Sequence, residues 1–315
     1  MSIVHPKYKL RSWIDPDKLD FRELSYEPRA INILLENPDK IFWPGFSSNP
    51  AAIDFLSKNQ DKINWSGMCE NINGIELLKN NIEKINWTAL SENEAAEELF
   101  KENPEKMNNY FVQSNKGAMS YILEYIVPYR YQLQRDLSRL SSNPNAMDFL
   151  LENPNLIDFY YLASNTDPRA MKLLKENAKR INWVHLSENE SEGAIEILKN
   201  NINNIWWYQL SQNKCAYNII MDNLDKIDWD TASSNPVLID LLYKNQDNID
   251  WKWFSTNPEI FEIDYKYYYD KMNLPQHPNE ISLCEELMRY VYHPKRLVYY
   301  MSEYNYDINC DIYLN

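Results

Sequence analysis

Glycine is almost missing from this 315-residue chain, which holds five: Gly45, Gly67, Gly74, Gly117 and Gly193. Phosphate-cradling loops and tight β-hairpins need glycine where the backbone turns left-handed or a ligand comes close, so both are hard to build here. Cysteine is as scarce: Cys69, Cys215, Cys284 and Cys310 are far apart and form no C-x-x-C pair. Neither a disulfide framework nor a metal knuckle is expected, and Cys69 and Cys215 read as small buried residues in a reducing compartment.

No apolar run approaches the ~18 residues of a membrane span, and no N-terminal apolar segment has the form of a secretion signal. An intracellular protein that does not cross a membrane is therefore expected, and the sequons at Asn64, Asn86 and Asn189 read as accidents of the sequence pattern. Positive charge is also short: 32 Lys and Arg stand against 46 Asp and Glu, a formal net charge of −14. That balance argues against nucleic acid as the main partner, since phosphate contacts need clustered cations, although an acidic surface also serves solubility alone.

Catalytic signatures are missing too. There is no Walker loop, H-E-x-x-H, G-x-S-x-G or paired Cys/His spacing. His5, His185, His277 and His293 are isolated, and the carboxylates Glu92, Glu98 and Glu102 fall on polar positions that recur. No catalytic residue, metal ligand or cofactor is expected.

What the chain does have is an internal period. An aromatic recurs as Phe21, Trp43, Trp65, Trp87, Phe159, Trp183, Trp207, Trp229 and Trp251, with Asn109 and Leu137 in the same slot mid-chain. Two positions earlier stands an apolar residue such as Ile41, Ile63 or Ile85, and three later a Leu, Phe or Met. A small residue follows, usually serine, and two places on an asparagine, often before proline. The pattern I-x-W-x-x-L-S-x-N-P thus runs through about ten units of ~22–24 residues.

Each unit has a physical reading. The Asn-Pro pairs at 49–50, 143–144, 235–236 and 257–258 look like helix starts, because asparagine caps free amides and proline fits the first turn. A second asparagine (Asn37, Asn59, Asn81, Asn153, Asn177 or Asn245) ends that helix, expected through the left-handed conformation asparagine tolerates. The Asn or Asp before each aromatic suits an N-cap, and W-x-x-L then forms one short α or 3₁₀ turn. The expectation is an all-α protein, an α-solenoid whose units each pair a longer helix with a short one. Neither helix can bury its apolar face alone, so units must stack, with Trp43, Trp65, Trp87, Trp183, Trp207, Trp229 and Trp251 as repeated core. At helix spacings of 8–10 Å, ten units would extend ~80–100 Å before curvature is allowed for.

On Ile63-Asn64-Trp65, on the run from Ile85 to Asn93 and on Leu140-Ser141-Ser142-Asn143-Pro144, the chain resembles the Asn/Trp-rich tandem-repeat proteins that giant DNA viruses of amoebae encode in many copies. The resemblance covers roughly residues 19–257. It implies a viral origin, in an infected host cell or a virion, and carries over no catalytic residue. The alternation also looks like the leucine-rich variant solenoid, by architecture only.

Three segments depart from the pattern. Residues 1–18 are expected to cap one end of the array at 19–257. Near 121–139, around Pro128-Tyr129-Arg130-Tyr131, lies an irregular insertion, either a drifted unit with a longer loop or a contact point. Residues 258–315 form a Tyr-rich region, either a cap with a helix at Ile281 to Tyr292 or a surface for partners or self-association.

Variation concentrates one and two places after the repeat aromatic, giving a stripe of Tyr110, Phe111, Tyr160, Tyr161, His185, Tyr208 and Trp253. These side chains are either extra core or a ridge for a protein partner. The functional expectation is a non-enzymatic protein-interaction or scaffold module. The alternative is a structural protein self-associating through its C-terminal region, and an enzyme without a recognisable motif is a remote third.

Overall fold

The computed structural model describes residues 6–108, 110–129 and 136–268. They belong to two compact units, one ending at Glu262 and one beginning at Ile263. The first is built almost entirely from short helices packed on one another, and it is helical and repeat-like. The strands among the described residues are Tyr8–Leu10 and Phe261–Ile263, which pair.

The capping chemistry works as the sequence reads. Asn64, Asn86, Asn182, Asp158, Asp228 and Asp250 each accept backbone N–H groups at the start of the short helix beginning with the repeat aromatic. Asn49, Asn143, Asn235 and Asn257 cap the 3₁₀ turns that begin at the following prolines. After the first three, the turn runs into a six-residue helix such as Ile53–Lys58.

Helix ends differ from expectation. The closing asparagines keep negative φ, −129° at Asn37 and −125° at Asn177, rather than turning left-handed. Their side chains do the capping instead: Asn37 Nδ2 donates to Ile33 O (2.9 Å), and Asn59, Asn177 and Asn245 repeat this bond to Phe55, Leu173 and Leu241. An amide that satisfies an orphan carbonyl four residues back removes the need for the strained backbone.

Deepest in the core lie the residues three after the aromatic, such as Leu24, Phe46, Met68, Leu90 and Leu186, and one leucine-like residue in the other helix of each unit, such as Leu56, Leu78 and Leu174. The expected contrast of longer and shorter helix does not hold throughout, since Trp43–Ser48 and Ile53–Lys58 each run six residues and Ile75–Lys79 five. The repeat tryptophans are only half-buried and pack against that core from its edge. Their outer faces are covered by cations from the next unit: Lys62 over Trp43, Lys84 over Trp65, Lys106 over Trp87 and Lys226 over Trp207, with Arg180 over Phe159 at 3.8 Å. Four of these cations stand three places before an aromatic and Lys106 three before Asn109 in the same slot, a recurrence the sequence holds and the reading above left aside. Cys69 is buried as expected. Cys215 is exposed, because it lies in the turn between Asn213 and Tyr217 rather than on a packed helix face.

Two polar ladders tie neighbouring units. The asparagine six places after each aromatic is buried and donates both amide hydrogens to the preceding unit. Asn71 Nδ2 reaches Ser47 O (3.0 Å) and Asn49 O (2.9 Å), and Asn165 reaches Ser141 O (2.9 Å) and Asn143 O (3.1 Å). Asn93, Asn115, Asn189, Asn213, Asn235 and Asn257 do the same. The repeat serines accept a backbone N–H from the following unit, as Ser47 does from Asn64 (2.9 Å) and Ser211 from Asp228 (3.0 Å).

The same bonds join the last unit to the first. Asp20 N–H donates to Ser255 Oγ (2.8 Å), and Lys18 lies over the Trp251 ring at 4.8 Å. Trp13 packs on Tyr243 and Phe254, and Arg11 N–H donates to Ile260 O (2.9 Å). The ends of the array therefore meet, where an extension of ~80–100 Å was expected from linear stacking. Residues 8–20 lie in this seam. The asparagine position of the first unit holds Glu27, which has no amide to donate across it. Arg29 takes over, with Nη1 donating to Pro258 O (2.8 Å) and pairing with Glu259 (2.9 Å). Arg11 Nε adds a bond to Glu259 O. Burial, with Glu259 nearby, pushes the Glu27 carboxyl above its ordinary value against the pull of Arg29.

Near 121–139 the helix that begins at Met119 passes into a π turn at Ile122–Ile126 and a 3₁₀ turn at Val127–Tyr129. Arg130 and Tyr131 of the expected insertion lie outside the described residues. In the second unit, residues 265–268 form a helical turn in which Asp264 accepts the Tyr267 N–H. The remaining C-terminal expectations, the helix at 281–292 and self-association among them, lie outside the described residues, as do Cys284, Cys310, His5, His277, His293 and Asn109.

Candidate functional site

Four successive units each contribute a short helical turn to one surface: 111–114, 138–142, 159–162 and 183–188. The first or second residue after the aromatic slot projects at the same place on each, so residues distant in sequence become neighbours. The Tyr110 and Tyr161 hydroxyls meet at 2.6 Å, spanning the intervening unit. That unit carries Ser138 where its neighbours carry Tyr110 and Tyr160.

The rings continue outward. Tyr110 lies edge-on to Phe111 with centroids 5.5 Å apart, Tyr160 to Tyr161 at 5.0 Å, and Tyr160 to His185 at 4.8 Å. Such perpendicular pairs set the electron-rich face of one ring against the edge of the next. Tyr110 is 39% and Tyr160 54% exposed, while Phe111, Tyr161 and His185 are half-buried. The hydrogen bond shared with Tyr110 first, then burial and the neighbouring phenols, push the Tyr161 hydroxyl up to about 12. The Tyr161 phenol is therefore neutral at pH 7.

Arg139 holds the patch from beneath. Its guanidinium lies 5.3 Å from the Tyr110 ring centre and 5.0 Å from that of Phe111. Nε donates to Ser114 Oγ (3.0 Å), and Nη2 pairs with Glu92 (3.2 Å). Comparison with family models, curated proteins and solved structures finds no match to this chain.

Five of the seven stripe residues, Tyr110, Phe111, Tyr160, Tyr161 and His185, are thus brought together. The other two stand elsewhere. Tyr208 is exposed beside the exposed Trp206, its carbonyl accepting from Thr231 Oγ1 (2.8 Å). Trp253 borders a groove of about 500 Å³ shared with Glu27, Glu188, Glu190 and Lys214. Arg139 and Glu92 belong to the patch and were missed. The only signal for Arg139 was its place two after Leu137, in the slot filled by Phe111, Tyr161 and His185.

Among the described residues no group of three His, Cys, Asp or Glu side chains converges as a metal site, and no helix is long and apolar enough to cross a membrane.

Proposed function

We propose that this chain is a tandem-repeat α-solenoid of about ten units, closed end to end, and that it serves as a non-enzymatic protein-interaction scaffold. The observation that carries the reading is the convergence of Tyr110, Phe111, Tyr160, Tyr161 and His185 over Arg139. Exposed tyrosines held rigid by ring contacts and one buttressing arginine have the composition of interface anchors, since they supply contact area at little entropic cost. The acidic balance favours a partner with a basic surface. In keeping with the sequence resemblance to the giant-virus repeat proteins, the proposed setting is an infected cell or a virion, with a host or viral protein as partner.

The test is capture by crosslinking from infected-cell extract, comparing wild type with Tyr160→Ala/Tyr161→Ala. The expected result is loss of one specific adduct with an unchanged far-ultraviolet circular dichroism spectrum. An adduct pattern identical in the two proteins overturns the assignment of the patch.

A further inference from the structure

The aromatic ladder has one vacant place among the described units. At every other described slot position stands a Trp or Phe, and in seven cases a Lys or Arg lies over the ring, the slot residue Asn109 lying outside the described residues. At the unit after the insertion the slot holds Leu137, and Leu156 stands in the place of the covering cation. Both the ring and the long basic stem are lost at once. Over those two leucines the surface opens into a cavity of about 550 Å³, lined by Leu137, Leu156 and Ile157 and by the rings of Phe159 and Tyr160. That volume is within the ~300–1000 Å³ typical of small-ligand sites.

The charges at the mouth point to the chemistry of an occupant. Asp136 is exposed and Asp158 half-buried, and both line the cavity. In each, one carboxylate oxygen caps a helical turn, accepting from Ser138 N–H (2.9 Å) and Tyr160 N–H (2.8 Å) respectively. The second oxygen of each has no part in those caps. Arg180 also lines the cavity, with its guanidinium over the Phe159 ring. The lining thus sets two carboxylates against one guanidinium around an apolar floor, a balance that stays negative on a protein of net charge −14.

We propose that this vacancy is a binding pocket for an aromatic side chain, an indole or phenol, presented by a basic peptide segment of a protein partner. The ring takes the place that the repeat aromatic fills in other units, and the flanking Lys or Arg of the peptide pairs with Asp136 and Asp158. The proposal rests on the scaffold reading above. Tyr160 links the two, since it walls the pocket and belongs to the exposed aromatic patch.

The probes are 5-fluoroindole, observed by fluorine NMR, and the peptide acetyl-Lys-Trp-Lys-amide, titrated by calorimetry. Wild type should broaden the fluoroindole signal and bind the peptide at least tenfold more tightly than acetyl-Glu-Trp-Glu-amide. Leu137→Trp, which returns the chain's own ring to the slot, should weaken both probes at least tenfold. Leu156→Lys, a surface change that leaves Leu137 in place, should do the same if Leu137→Trp does not fold. Binding undiminished in whichever of these variants folds, or no binding to wild type, overturns the pocket. The two proposals fail separately. Loss of partner capture in Tyr160→Ala/Tyr161→Ala without any probe binding removes the pocket and leaves the scaffold. Probe binding blocked by Leu137→Trp, with capture indifferent to both variants, removes the scaffold assignment of the patch and leaves the pocket.

Discussion

Replacing Asn165 by alanine should be among the most damaging polar substitutions in the chain, and its sister Asn177 provides the control. Asn165 is fully buried and makes three hydrogen bonds: Nδ2 to Ser141 O and Asn143 O, and Oδ1 from Asp167 N–H at 2.8 Å. Alanine removes all three. The Asn143 carbonyl keeps the Ala146 N–H as a partner, whereas the Ser141 carbonyl and the Asp167 amide lose these bonds. At roughly 1–3 kcal/mol per orphaned group, less for the partly solvated amide, the loss is about 2–5 kcal/mol. Asn177 is the same residue type one helix later, half-buried, and its side chain donates one bond to Leu173 O, which also accepts the Asn177 backbone N–H. Asn177→Ala should cost about 1 kcal/mol or less. Urea unfolding followed by both tryptophan fluorescence and circular dichroism measures the pair. Stacked units unfold as coupled neighbours, so slope as well as midpoint is needed. Equal losses for the two variants would refute the idea that the buried ladder, rather than asparagine propensity, joins the units. Asn165→Asp should be worse than alanine, because an anion would then face two carbonyl oxygens.

Other outcomes follow from the seam, the packing and the patch. Glu27→Asn supplies the missing amide at the closure and should raise stability by about 1–2 kcal/mol, seen as a higher urea midpoint. In wild type the folded-state pKa of Glu27 is raised, so its contribution is present below the pKa of the unfolded chain and is lost as pH rises through the folded value. A pH series should show that loss in wild type and not in Glu27→Asn. Gly67→Ala should destabilise by about 1–3 kcal/mol in the same assay, because a Cβ there would lie 2.2 Å from the Pro44 carbonyl oxygen of the preceding unit. Lys84→Met keeps the alkyl stem but not the charge over Trp65; a loss of about 0.5–1 kcal/mol and an altered tryptophan emission should result. Tyr110→Phe should bring the Tyr161 titration down from about 12 toward an ordinary phenol, read by ultraviolet difference absorbance.

Much of the local structure was legible because it is chemistry of neighbours in sequence. Asn64 and Asp228 cap the turns that follow them, and Pro50 opens one, through contacts spanning two or three residues. The apolar spacing also placed Leu90 and Leu186 in the core. The tryptophans were read as core for the same reason, yet their outer faces rest under lysines of the next unit. Periodicity shows that a side chain faces inward but not how far in it lies. The left-handed helix ends failed differently, since asparagine offers two ways to finish a helix and only the three-dimensional position of its amide chooses between them.

The sequence by itself determined the unit: its length, its caps, its apolar face and the positions free to vary. Tertiary structure decided what the units make together. The ends meet through contacts between residues more than 200 positions apart, and no single residue pattern records those. Only when Asp20 is seen bonded to Ser255, and Arg29 to Pro258, does Glu27 become intelligible as the unit that breaks the asparagine ladder at its seam. The patch has the same origin. Tyr110 and Tyr161 are separated by 51 positions and a whole intervening unit, and only the packing of units brings their hydroxyls to 2.6 Å.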